Sequence, residues 1–282
     1  MPSPLFVFVQ MDFPWQIGPA DGRYLLRARA GGDPERVLVL QTFSQDAASS
    51  SRITLVDPVS LPAEHQARAW LDDVQRESRS AIEEALALVN RVLYLHRISA
   101  ADPYAHEVSA TQALAIRAGW GSGEELASGR FTHADELPAG QRAGQRRGLL
   151  RRGTRRERAS ALAGQERFAS LLGAHVPTLI SEELALRARL DLDQERLALA
   201  TVGLSAALAA GLAELRREHR EDLALRIDEL EQLRGGVDAQ AAATSSSGAA
   251  ADRDALEHAL QRLEAALRAR AANAAARSRS AD

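Results

Sequence analysis

Arg23-Tyr-Leu-Leu-Arg-Ala-Arg-Ala-Gly-Gly-Asp-Pro-Glu-Arg-Val-Leu-Val-Leu-Gln-Thr-Phe43 decides the fold. It reads as two strands, Arg23–Ala30 and Val37–Phe43, joined across Gly31-Gly32-Asp33-Pro34, a hairpin signal between apolar runs. Working outward, Leu5–Met11 and Arg52–Val56 have the same Val-, Leu- and aromatic-rich character. Turn signals at Phe13-Pro14, Gly18-Pro19 and Asp21-Gly22 separate the first two runs. The small polar stretch Gln45–Ser51 reads as a loop. Four short strands bury too little by themselves, so something must cover one face. The next segment supplies it. Ala67, Trp70, Leu71, Val74, Ala81, Ile82, Ala85, Leu86, Val89, Val92 and Leu93 form a helical stripe between Ala63 and Ile98. Asp72, Asp73, Glu77, Arg79, Glu83 and Glu84 occupy the other face. An unbroken helix there would reach roughly 54 Å, so a break is expected near Ser78–Ser80. The expected class is α+β: a small antiparallel sheet covered by a long helix, followed by an all-α helical-hairpin domain.

Beyond that helix the pattern is mixed. Glu107–Ala118 fits a helix, while Ala113–Trp120 alternates like a strand. Gly119-Trp-Gly-Ser-Gly123 reads as a loop and Glu124–Ala127 as a helical turn. Residues 1–137 therefore form the α+β domain, with strands in 5–58 and helices in 63–127. Composition shifts at Pro138, and residues 138–162 read as an exposed Arg-rich linker. Residues 163–277 read as the helical-hairpin domain. Its helices are placed at Gln165–Leu172, Thr178–Leu190, Gln194–Arg217, Glu221–Arg234 and Asp252–Ala275. Asp191-Leu192-Asp193 reads as a tight turn, 235–251 as a low-complexity linker or a loose helical extension, and Arg277–Ser280 as a frayed tail. Leu256, Leu260, Leu263 and Leu267 share one stripe, as in a short coiled coil. Leu184–Ala213 is similar to a single tetratricopeptide unit, but no second copy follows, so it reads as a generic helical hairpin.

Composition excludes more than it assigns. The 282 residues contain no cysteine, which removes disulfides, thiol nucleophiles and thiolate metal sites. There is no lysine either, since all 35 basic residues are arginine. Schiff-base chemistry and the phosphate-loop lysine are excluded with it. Net charge is -3, with no general bias toward a polyanion or polycation. The N-terminus lacks a basic region and reads as a strand rather than a secretion signal. The uncharged run Leu197–Ala213 is short and rich in Ala, Gly, Ser and Thr, so it reads as a bundle helix rather than a membrane span. A cytoplasmic setting is expected.

Several segments resemble a group of conserved hypothetical proteins from high-GC actinobacteria. They are Pro14–Arg27, Glu35–Leu40, Ala101–Tyr104, Gly119–Gly123 and Glu182–Asp193. The resemblance covers most of the chain. It implies a bacterial cytoplasmic protein and transfers no activity and no site residue.

Candidate chemistry is sparse. Gly119, Trp120, Gly121, Ser122 and Gly123, with Arg117 and Arg130, could form a loop that lets a backbone approach a phosphate while the indole stacks on a base. Neither the dinucleotide fingerprint nor the serine-hydrolase elbow is satisfied there. Arg142, Arg146, Arg147, Arg151, Arg152, Arg155, Arg156 and Arg158 stand against Glu157 alone, a local charge of +7 suited to nucleic-acid phosphates. The histidines are scattered; His96, Asp102, His106 and Glu107 are the tightest group, explained equally by a capped helix end. The adjacent pairs Asp72-Asp73, Glu83-Glu84, Glu124-Glu125 and Glu182-Glu183 diverge by about 100° on a helix and read as solvated faces. No catalytic residue, metal or cofactor is expected. The Leu-striped helices favour an adaptor or scaffold that binds a protein partner. A nucleic-acid-associated protein using 142–158 is the first alternative, and a small-molecule or nucleotide binder at Gly119–Gly123 the second. Oligomeric state is left open.

Overall fold

The computed structural model describes residues 4–45, 48–129, 131–138 and 165–281. The fold is α+β with a C-terminal helical region. Strands β1 (Leu5–Phe13), β2 (Gly22–Arg27), β3 (Pro34–Gln45), β4 (Ala48–Val56), β5 (Ala115–Ser122) and β6 (His133–Glu136) form one antiparallel sheet in the order β2-β3-β4-β1-β5-β6. Two helices, α1 (Glu64–Arg76) and α2 (Ser78–Ala100), follow β4, and α3 (Gly123–Ser128) follows β5. A helix over 165–172, α4, precedes α5 (Ile180–Asp193), α6 (Leu197–Arg217), α7 (Ala224–Ser247) and α8 (Arg253–Ala281).

The β2–β3 hairpin forms as its turn residues require. Gly31 takes a φ of 68°, open to glycine at no steric cost, and the register shifts between Leu26 and Arg27. Of the expected loop Gln45–Ser51, Gln45 and Ala48–Ser51 are strand. Thr42 pairs with Ser51, Phe43 with Ser50 and Ser44 with Ser49, so the two strands run almost to their junction. Ladder hydrogen bonds come from the backbone and do not need apolar side chains. Ser51 is also buried, its Oγ accepting from the Ile17 amide at 2.9 Å.

Each sheet face has its own cover. Leu38, Leu40, Ile53, Leu55, Met11 and Ile116 alternate onto the face under α1 and α2. Phe8, Val39 and Val56 point the other way, against Leu126 of α3 and Phe131. The long helix breaks at Glu77, with φ -111° and ψ 34°, one residue before the expected position.

The strand alternative holds for Ala113–Trp120, and with it falls the reading of 63–127 as helices alone. β5 is an inner strand between β1 and β6, and Ala115, Ile116, Ala118, Gly119, Trp120 and Gly121 are all buried. A strand covered on both faces loses its period of two, which is why a helix competed for it.

The chain divides into two compact units. The first comprises Met1–His96, Ala105–Glu157 and Phe168–Val176; the second comprises Arg97–Tyr104, Arg158–Arg167 and Pro177–Asp282. Phe168 belongs with the sheet unit because its ring packs edge-on against Tyr24 at 5.2 Å and His96 at 5.7 Å. The last turn of α2 belongs with the helices because Arg97 pairs with Glu183 at 3.1 Å, and the Ile98 carbonyl accepts from Arg167 at 3.1 Å.

Two helical boundaries move in the second unit. Asp191–Asp193 stays in α5, and the turn comes at 194–196, where Glu195 takes a φ of 58°. Of the two readings of 235–251 the helical extension holds and the linker does not, because α7 continues to Ser247 and ends at Gly248 with φ 67°. Gly235 and Gly236 cost the helix about 1 kcal/mol each. Buried Leu230 and Val237, two turns apart, hold it through them. The stripe Leu256, Leu260, Leu263 and Leu267 is buried in the same core as Leu204, Leu208, Leu212 and Leu215 of α6.

Candidate functional site

The Gly-rich segment is strand, not loop. Gly119 pairs with Phe8 on one side and Ala134 on the other, so its backbone serves the sheet. Gly123 opens α3, capped by a reciprocal pair: the Glu125 amide donates to Ser122 Oγ at 3.3 Å and the Ser122 amide to Glu125 Oε2 at 2.8 Å. The Ser122 amide first, and then the Thr132 hydroxyl and amide, hold the Glu125 carboxyl below its ordinary range against a smaller upward push from burial. The expected phosphate cradle is therefore replaced by ordinary strand and cap geometry. Trp120 is buried with its indole stacked on His133, ring centres 4.7 Å apart and 8° from parallel. Arg130 lies outside the described residues, as do all eight arginines from Arg142 to Arg158.

An open cleft of about 410 Å³ lies beside this stack, lined by Arg68, Asp72, Trp120, His133 and Asp135. Two of its charged groups are already engaged. Arg68 pairs with Glu64 at 2.8 Å, and Asp135 accepts from Gln75 at 2.7 Å. Among the described residues no group of three or more His, Asp and Glu could hold a metal ion.

Arg117 points to the opposite face. Its Nη1 donates to Asp12 Oδ2 at 2.7 Å, while Arg52 forks onto the same carboxylate at 2.7 and 3.2 Å. Asp12 and Arg52 are cross-strand neighbours in β1 and β4. Burial raises the Asp12 pKa, and the hydrogen bonds and charges of Arg52 and then Arg117 together bring it below the ordinary value. A carboxyl depressed in the folded state stabilises above its unfolded pKa, and that stability disappears as pH falls through the folded pKa. Asp12→Asn should cost about 1.5–3 kcal/mol at pH 7. The gap from the parent should narrow below about pH 4. Urea midpoints of both proteins at pH 7 and pH 3 check this; an equal gap at both would break the assignment.

The second unit carries the feature without a partner. α6 turns Ala200, Leu204, Ala207, Leu208, Gly211, Leu212 and Leu215 inward. Gly211 has no room for a side chain, since a Cβ would meet Leu263 at 2.9 Å. Ser205 donates to Asp238 of α7 at 2.6 Å, and Gly203 lies over Ala188 of α5. The remaining face is open: Leu199 is 59% and Val202 48% exposed, and Ala206 and Ala213 are exposed with them. No charged residue stands between Arg196 and Glu214. By length and composition this is the one helix among the described residues apolar enough to cross a membrane, with 39% of its window buried.

The end of this bundle is clasped by buried charge. Glu182 pairs with Arg167 and lies 4.0 Å from Arg270, and its Oε2 accepts from the Leu179 amide at 3.1 Å. Glu214 of α6 accepts from the amides of Ile180 and Ser181 at 2.8 and 3.1 Å, so carboxylates sit on the positive end of α5. Arg270 reaches Glu218 at 2.6 Å. Glu182-Glu183 is therefore no solvated pair; their side chains are 5% and 15% exposed. The wrong expectation came from counting charge without its long-range partners. Midway along the bundle, Arg189 of α5 forks onto Glu264 at 2.9 and 3.2 Å and reaches Glu257 at 2.8 Å, both on α8. Burial opposes its charge, but the bonds to Glu264 and Glu257 outweigh that and raise its pKa.

Compared with protein-family models, with curated proteins and with solved structures, the chain matches none. The case for function rests on its own residues.

Proposed function

We propose that the chain is a non-enzymatic cytoplasmic adaptor or scaffold that binds a protein partner through its helical unit. The supporting observation is the open face of α6. Exposed Leu199 and Val202 continue into Ala206 and Ala213 without one intervening charge, on a helix whose other sides pack against α5, α7 and α8. A solvated helix normally puts charge on that face, so an uncharged one suits a docking surface. The charged clasp at the bundle end and the Arg189 fork stiffen the helices that present it, which lowers the entropy cost of binding. Val202→Glu places a charge among the large apolar residues at the N-terminal end of the face without touching the core. A tagged full-length chain should retain specific proteins from nuclease-treated native lysate, and Val202→Glu should lose them while its circular dichroism stays unchanged. Equal capture by both proteins would defeat the reading.

A further inference from the structure

We propose that the partner fitted to the open face of α6 is a second copy of this chain, laid antiparallel across the first. The proposal rests on the reading of that face as a docking surface. The face is graded in size. Its N-terminal end carries Leu199 and Val202, and its C-terminal end carries only alanines, Ala206, Ala209 and Ala213. The intervals from 199 to 213 are three, four, three and four residues, the seam of a two-helix contact.

A parallel pairing would set leucine on leucine at one end and leave alanine facing alanine across a gap at the other. An antiparallel pairing about a two-fold axis near Ala206 does the reverse. It places Leu199 and Val202 of each copy over the Ala209–Ala213 end of the other, large against small at both ends. Alanine at the axis lets the two backbones approach closely. The same operation relates residue 195 of one copy to 217 of the other. Glu195, in the turn before α6, is paired with Arg253 at 3.1 Å yet 65% exposed, and it then lies at the same end as the exposed Arg217, which has no ion-pair partner among the described residues. Two such pairs flank the seam, the self-complementary arrangement a two-fold interface requires. A contact one helix wide buries less than the ~800 Å² per partner of a standard interface, so dissociation in the micromolar range is expected.

Because the full chain has no cysteine, Ala206→Cys introduces a single thiol at the proposed axis. Mild oxidation should convert it to a disulfide dimer, because Cβ atoms facing across a two-fold axis come within bonding reach. Leu225→Cys, at an exposed site on α7, should stay monomeric under the same conditions. Sedimentation of the parent protein should show a reversible monomer–dimer equilibrium, and Val202→Glu should raise its dissociation constant at least tenfold. The proposal fails if Ala206→Cys cross-links no faster than Leu225→Cys. It fails equally if the parent stays monomeric at about 100 μM. It also fails if the thiol at 206 resists both oxidation and maleimide in the monomer, because another part of the chain then covers the face. If Val202→Glu still abolishes capture of other proteins while the parent is monomeric, the docking reading survives and only self-pairing falls.

Discussion

Replacing Glu182 with alanine lowers the urea midpoint of the helical unit by an amount equivalent to about 3–5 kcal/mol. Glu182 is 5% exposed and holds three groups at once: the Arg167 guanidinium, the Arg270 guanidinium and the Leu179 amide. Among the described residues Arg270 pairs with Glu182 and Glu218, and truncation removes the first from a side chain that is 7% exposed. Arg270 keeps Glu218 at 2.6 Å, but the other side of its buried guanidinium then faces no charge, and that under-compensated burial dominates the cost. The cluster has no reserve, since Arg97 Nε, Glu183 Oε2 and Arg270 Nη1 are already buried without hydrogen-bond partners among the described residues. Glu182→Gln keeps an acceptor for Leu179 but not the charge, and should fall between parent and alanine. Glu182→Met combined with Arg270→Leu removes both charges and should recover part of the loss. Far-UV circular dichroism in urea reads all four proteins. A cost below about 1 kcal/mol for the alanine variant would show that the clasp is solvated in solution.

Much of this architecture was legible in the sequence, and the reason is locality. The hairpin turn at Gly31–Pro34, the helix stripe from Ala67 to Leu93 and the leucine stripe of α8 are short-range patterns that burial enforces directly. The break at Glu77 followed from length alone. What was missed depends on residues far away in the chain. Ser49–Ser51 looks like loop until β3 is laid beside it. Gly235-Gly236 looks like a linker until Leu230 and Val237 meet the core. Glu182-Glu183 looks solvated until Arg97, Arg167 and Arg270 arrive from three other segments. The open face of α6 was half visible: the uncharged run was plain, but not which of its positions the bundle would leave outside.

Gly119 shows the same limit most sharply and carries the other large effect. In the sequence it reads as loop glycine, valued for freedom of φ. In the sheet its value is the hydrogen it carries in place of a side chain. A Cβ on Gly119 would sit far inside van der Waals contact with the His133 carbonyl oxygen and 2.8 Å from Ala134 Cα. Both obstacles are backbone of the neighbouring strand, so no rotamer change relieves the clash. β6 is only four residues long and lies at the sheet edge, so it yields before β5, which is held by β1 along its whole length. Gly119→Ala should therefore release β6 at a cost of about 1–3 kcal/mol or more. The Trp120–His133 stack should be lost with it, because Trp120 and His133 are paired across the same ladder. The expected signature is a red-shifted tryptophan emission with the helical circular dichroism largely retained. Amide exchange should quicken at 133–136 while the β1–β4 pairing stays protected. Gly121→Ala is the contrasting substitution. A Cβ there would meet the flexible Glu125 side chain at 3.1 Å and the Phe131 ring at 3.3 Å, atoms that can move aside. It should leave the exchange of β6 unchanged. If both substitutions behave alike, the close approach of the two backbones at Gly119 is not what fixes the edge strand.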